Sequence, residues 1–102
     1  MLDAYAVTTS AWTPSGQLVA WTSIVSDNLR HAFLLDVMVD PRFQRRGIGR
    51  QVVLRAIEEM TKRGVTGIHV DCAADRAGFY EKCGFKMCAG GWMDTAQKPL
   101  EK

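Results

Sequence analysis

Between Val37 and Val53 the sequence passes from strand-like to helical periodicity, and the passage runs through DPRFQRRGIGR, residues 40–50. No other feature constrains the fold as much. The apolar run His31 to Val39 stops at Asp40-Pro41, because proline cannot donate to a sheet ladder. Beyond the junction Ile48, Val52, Val53, Ala56, Ile57 and Met60 recur at helical spacing, with Arg50, Arg55, Glu58, Glu59 and Lys62 between them. A strand must therefore feed a helix through a segment that concentrates Arg42, Arg45, Arg46 and Arg50 with Gly47 and Gly49.

The remaining elements arrange themselves around this junction. Tyr5 to Trp12 and Leu18 to Val25 are rich in β-branched and aromatic residues and are expected to be strands. The turn signals Thr13-Pro14-Ser15-Gly16 and Ser26-Asp27-Asn28 separate them from each other and from the third strand. Gly64 stands where a helix C′ residue belongs, and Gly67 to Cys72 returns to strand character. Asp75 is expected to cap a short helix holding Phe79, Tyr80 and Cys83, ended by Gly84; Phe85 to Met93 suggests a final strand or hairpin. The expected order is β-β-β-α-β-α-β. The strands on either side of the long helix would be parallel neighbours joined by a right-handed crossover. The expectation is a single α/β domain over residues 1–102, of the α+β type, with a mixed, mostly antiparallel sheet and helices packed on it.

Totals narrow the function. With 102 residues, 47% of them hydrophobic and 24% charged, one folded domain is expected and disorder is not. A net charge of +2 argues against a general nucleic-acid binder. Cys72, Cys83 and Cys88 form no CxxC pair, which argues against a zinc site and a disulfide framework and for reduced thiols in the cytoplasm. No signal peptide is legible at the start, and no apolar stretch has the length of a membrane span.

The junction also has a chemistry. The first amides of a helix lack partners within it, and together with the helix dipole they favour an anion. Glycines let the backbone come close and arginines add attraction, so Gln44 to Gly49 fits a diphosphate cradle. The P-loop pattern is not met, and the dinucleotide fingerprint fails because its third glycine position is Val52.

VMVDPRFQRRGIGRQVV, followed at a suitable distance by CAADRAGFYEKCGF, resembles the GNAT family of N-acetyltransferases. DVMVDP, DC and FYEKCGF look most like the glucosamine-phosphate acetyltransferases, whereas VDPRFQRRGIGR looks as much like the ribosomal-protein alanine acetyltransferases. The resemblance implies an acetyl-CoA donor, no metal, and an amine acceptor. It implies that backbone groups of Val37, Met38 and Val39 bind the pantetheine arm and polarise the acetyl carbonyl. Gln44, Arg45, Arg46, Gly47, Ile48 and Gly49, extending to Arg50, would hold the diphosphate. Tyr80 matches the tyrosine that protonates the departing thiolate, a step that a nearby phenol can perform. Asp36 is the leading candidate for general base, with Asp71 and His69 as the others. Each also has a structural alternative, and Trp12, Trp21 and Trp92 are expected to pack rather than to stack on bases.

Typical members of the family carry a further strand and two helices ahead of the segment that Tyr5 to Trp12 matches. The resemblance thus implies a GNAT fold lacking these elements, with an acceptor pocket that is open or completed by a second subunit, and a homodimer formed through the apolar faces left uncovered. Two other functions stay open on the sequence. One is a CoA-binding module without catalysis or an interaction protein with a reduced acceptor site. The other is a basic surface in which Arg42, Arg45, Arg46, Arg50 and Arg55 meet nucleic acid.

Overall fold

The computed structural model describes residues 5–26, 30–91 and 93–96. Strands β1 (Tyr5–Trp12), β2 (Leu18–Ser26) and β3 (His31–Val39) form an antiparallel meander. Helix α1 (Ile48–Lys62) crosses over to strand β4 (Gly67–Val70), which pairs with β3 in parallel. A 3-10 turn (Ala74–Arg76) leads into helix α2 (Ala77–Lys82). The sheet order is β1-β2-β3-β4, so the mixed, mostly antiparallel sheet expected from the sequence is the one found.

The elements end where their residues require. In the first turn Gly16 takes φ 93°, and its amide donates to the Thr13 carbonyl at 2.9 Å. Both helices close in Schellman motifs. Gly64 at φ 88° follows α1, with Val65 N donating to Met60 O at 3.1 Å; Gly84 at φ 104° follows α2, with Phe85 N donating to Tyr80 O at 3.0 Å.

One face of the sheet is covered by α1. Ile24, Ala32, Leu34, Val53, Ala56, Met60 and Val65 form the core, joined by Tyr80 and Cys83 from the second helical region. Thr22 is fully buried, and its hydroxyl donates to the Leu35 carbonyl at 3.4 Å. On the uncovered face Phe33, Met38 and Trp12 stand exposed, so Trp12 is not the packing residue it was expected to be. Trp21 is half-buried, and Trp92 lies outside the described residues.

Four boundaries differ from expectation, the first being that β2 runs on to Ser26 instead of ending at Val25. β4 stops at Val70 rather than Cys72. Asp75 caps nothing: α2 starts from Arg76 without a side-chain cap, because the preceding 3-10 turn already supplies its entry. No strand forms over residues 85–91, where Phe85 and Met87 pack against the core individually and Gly90-Gly91 give no apolar alternation to pair. The turn expected at Ser26-Asp27-Asn28 lies mostly outside the described residues.

Candidate functional site

The site begins with an irregularity in β3. Pairing runs Ile24 to Leu34 and then Thr22 to Val37, so β3 spends one residue more than β2 over this stretch. Leu35 and Asp36 together face the single position of Ser23, which is a β-bulge. The extra residue reverses the alternation of sides. Ala32 and Leu34 point to the core ahead of the bulge, and Val37, which packs against that core, does so after it.

The bulge coincides with the end of the parallel pairing. Leu34 pairs with Val70, the last residue of β4, and beyond it β3 continues to Val39 with no paired strand on that side among the described residues. Alternation along the strand then fixes where its main-chain groups go. Asp40 N donates to Val19 O on β2 at 2.7 Å, which puts Met38 on the β2 side as well. Val37 and Val39 direct their main-chain groups to the open side, where Val39 O already accepts from Gln44 Nε2 at 3.1 Å. The 53% exposed side chain of Met38 is what it offers to solvent.

Two clefts share this opening. The first, about 510 Å³, is lined by Val37 and Val39, by Gln44, Arg45, Gly47, Gly49 and Arg50 of the junction, and by Arg76, Phe79, Tyr80 and Lys82. The second, about 540 Å³, lies between the bulge and the chain leaving β4, with Leu35, Asp36, Val37, Met38, Asp71, Cys72, Arg76 and Tyr80 in its walls. Val37, Arg76 and Tyr80 belong to both, so the two clefts adjoin along these residues and together reach from the start of α1 to the bulge.

The junction is built by two glycines with different duties. Gly47 is the N-cap of α1 at φ 79°, a conformation that costs a side-chain-bearing residue about 1–2 kcal/mol. Gly49 is needed for space rather than for dihedral freedom: a Cβ there would stand 3.1 Å from Val39 Cγ2 and 3.5 Å from Phe79. Arg45 also takes a positive φ, 64°, which turns the chain into the helix. No side chain caps α1, which leaves its first amides without a side-chain acceptor.

The arginines divide. Arg42 is tied to Asp40 by a 3.0 Å ion pair, and its donations hold the Asp40 carboxyl below the usual range. Arg46 lies over the Phe43 ring at 5.3 Å. Arg45 and Arg50 face the first cleft. Arg76, Lys82 and Phe79 join them there although the sequence had not singled them out; Arg76 and Tyr80, four residues apart around a helical entry, were the available signal.

Tyr80 is 7% exposed and is held edge-on by Phe79 and Phe85, with ring centroids 5.0 and 5.9 Å away. Its hydroxyl has no hydrogen-bond partner among the described residues, and no buried side-chain oxygen there lacks one, so that oxygen opens to the clefts. Burial and then the Cys72 side chain push the phenol up, against the lowering effect of Arg76. It keeps its proton through neutral pH and can donate it.

Asp36 and Asp71 both line the second cleft. His69 does not reach either cleft. Its ring hydrogen-bonds to His31 at 3.1 Å and stacks on Phe33 at 5.0 Å on the outer face, so the structure separates it from the other candidate bases. Cys83 is buried in the core, which raises its thiol above the ordinary value. Among the described residues no three His, Cys, Asp or Glu side chains gather as a metal site, and no helix is long and apolar enough to cross a membrane.

Comparison with known proteins adds to this geometry. Residues 3–85 match the family model described as the acetyltransferase (GNAT) family. The chain is 40% identical over 74 residues to GCN5-related N-acetyltransferase 3, chloroplastic, of Arabidopsis thaliana, a match covering 72% of this chain and 31% of that protein. It is 36% identical over 78 residues to the [Ribosomal protein bS18]-alanine N-acetyltransferase of Escherichia coli K12, covering 72% of this chain and 51% of the relative. It thus spans between about a third and a half of the length of these two relatives. The crystal structure of glucosamine-6-phosphate N-acetyltransferase from Arabidopsis thaliana superposes with a TM-score of 0.78 at 25% identity, over 87% of this chain and 65% of that one.

Proposed function

The chain belongs to the GNAT acetyltransferase family, and from that premise we propose that it transfers the acetyl group of acetyl-CoA to a primary amine by direct attack on the thioester. The observation that carries this reading is the pair of adjoining clefts that reach from the N-terminus of α1 to the bulge at Leu35-Asp36, with Tyr80 in the lining of both. Its parts fit the donor: free amides along one wall, a helix start at one end and a proton donor in the middle.

Acetyl-CoA supplies the thioester. The main-chain groups of Val37 and Val39 receive the pantetheine arm and one N–H polarises the acetyl carbonyl, where negative charge grows during attack. Met38 acts from the same strand segment by holding its register on β2. Amides from Gln44 through Arg45, Arg46, Gly47, Ile48 and Gly49 to Arg50, with the dipole of α1, take the diphosphate. The amine nitrogen bonds to the acetyl carbon as the carbon–sulfur bond breaks. Tyr80 gives its proton to the departing sulfur, and Asp36 takes the proton that the amine sheds, directly or through water. Solvent then restores both groups.

Two finer points belong to the same proposal. The protein acts as a homodimer through the outer face on which Trp12 and Phe33 are exposed; light scattering should report twice the chain mass, and a monomer at micromolar concentration contradicts this. It works in a reducing compartment, the cytoplasm, where Cys72, Cys83 and Cys88 remain the free thiols they are in the structure.

The test is thiol release from acetyl-CoA in the presence of an amine panel, run beside calorimetry with CoA. Binding with turnover supports the transferase. Binding without turnover on any amine reduces the protein to a CoA-binding module, and no binding removes the reading.

A further inference from the structure

Within the transferase reading, on which this inference rests, the second cleft says what kind of amine is accepted. Its lining carries two carboxylates, Asp36 in the bulge and Asp71 just beyond β4. Both residues are exposed, and neither has a recorded ion pair or side-chain hydrogen bond among the described residues. Leu35 and Met38, 46% and 53% exposed, add apolar surface to the same cleft. Arg76 is the one cation in the lining, and it also lines the first cleft, where the diphosphate would compete for it. Tyr80 is 7% exposed as a residue, its hydroxyl has no hydrogen-bond partner among the described residues, and it lines this cleft as well as the first.

We propose that the acceptor is a primary ammonium on an apolar stem, carrying no phosphate, whose charge is received by Asp36 and Asp71 and whose stem lies on Leu35 and Met38. Two carboxylates lining one cleft attract an ammonium group before it loses its proton. They repel a phosphate ester, which brings nearly two negative charges at neutral pH and finds one shared guanidinium. Exposed leucine and methionine side chains offer little to a polyhydroxylated ring and give an alkyl or aryl stem a surface to cover. A small arylalkylamine and an unblocked peptide N-terminus with an apolar first residue share this chemistry, and the assay keeps them apart.

The assay compares acetyl transfer to 2-phenylethylamine, to a short peptide beginning with alanine, and to glucosamine 6-phosphate, all with the full chain at saturating acetyl-CoA. The expected result is a kcat/KM for the amine or the peptide at least about tenfold above that for the phosphorylated sugar. Which of the first two is better decides between a small-molecule and a polypeptide source. Asp71→Asn should raise KM for the preferred acceptor about tenfold while leaving KM for acetyl-CoA and the melting temperature in place. Asp71→Lys should narrow or reverse the preference against the phosphorylated sugar. If glucosamine 6-phosphate is the better acceptor, or if neither Asp71 variant moves the amine KM, the inference falls and the transferase reading stands. Acetyl-CoA that binds but is not used with any of the three also overturns it. Failure to bind acetyl-CoA at all removes the transferase reading itself, so the two failures are distinguishable.

Discussion

Gly49 and Val39 touch at the point where the helix leaves the strand: a methyl group on Gly49 would stand 3.1 Å from Val39 Cγ2. The contact holds the first turn of α1 against the last residue of β3, which brings the helix amides and the outward-directed N–H of Val39 to one cleft. Phe79 closes the contact from the other side, with its ring carbons 3.5 Å from the same point.

Gly49→Val should therefore disrupt stability and binding together. A branched side chain cannot be placed without moving Val39 or Phe79, at a cost of about 2 kcal/mol. Urea denaturation should show the loss, and calorimetry should show a weaker acetyl-CoA complex.

Gly47→Ala probes a different property. A Cβ at Gly47 meets nothing within 4 Å, so the substitution is penalised through its φ of 79° alone. The expected cost is about 1 kcal/mol. Replacement by Asn, which tolerates the left-handed region better, should recover part of it. Equal stability of the Ala and Asn variants would contradict the backbone account.

Tyr80→Phe removes a hydroxyl that has no hydrogen-bond partner among the described residues, so the fold should be little affected. If the hydroxyl is the proton donor, kcat should fall about a hundredfold with the KM for acetyl-CoA nearly unchanged. The pH dependence has a definite sign. Burial raises the phenol above its ordinary value of 10.0, so the folded state favours the protonated form. That contribution is complete below pH 10.0 and is lost as pH rises through the folded value. Alkaline denaturation should thus begin at higher pH for Tyr80→Phe than for the parent protein.

The arginines should separate by what already holds them. Arg42 is engaged by Asp40 and Arg46 by Phe43, whereas Arg45 and Arg50 line the first cleft. Arg50→Ala and Arg45→Ala should each weaken CoA binding about fivefold, and Arg42→Ala less than about twofold. The effects should shrink in high salt, since all these side chains are exposed.

Much of this arrangement was legible beforehand because it follows from periodicity and glycine placement. β1 and β3 fall on the residues expected, and the crossover through α1 makes β4 parallel to β3. The junction and Tyr80, thirty residues apart or more in sequence, do line one cleft. The bulge was not legible. Leu35-Asp36 contains no glycine or proline, and its trace is a phase slip, with inward positions at Ala32 and Leu34 giving way to Val37. Arg76 and Lys82 escaped notice because nothing in a short helical segment tells which of its cations turns toward a cleft formed by other elements. Asp75 looked like a cap because its type suits one, but the 3-10 turn put the helix start beyond its reach. Gly49 was read as giving an anion close access; it is buried, and what approaches its Cα is Val39 and Phe79.

The central claim concerns two adjoining clefts and one ligand, and an amide-resolved NMR titration with acetyl-CoA tests it most directly. Saturable shifts should appear at Gly47, Ile48 and Gly49 and at Val37 and Val39, while Thr8 on the outer face of β1 stays in place. If saturating acetyl-CoA leaves the amides of the α1 start and the end of β3 where they were, these clefts do not hold the donor.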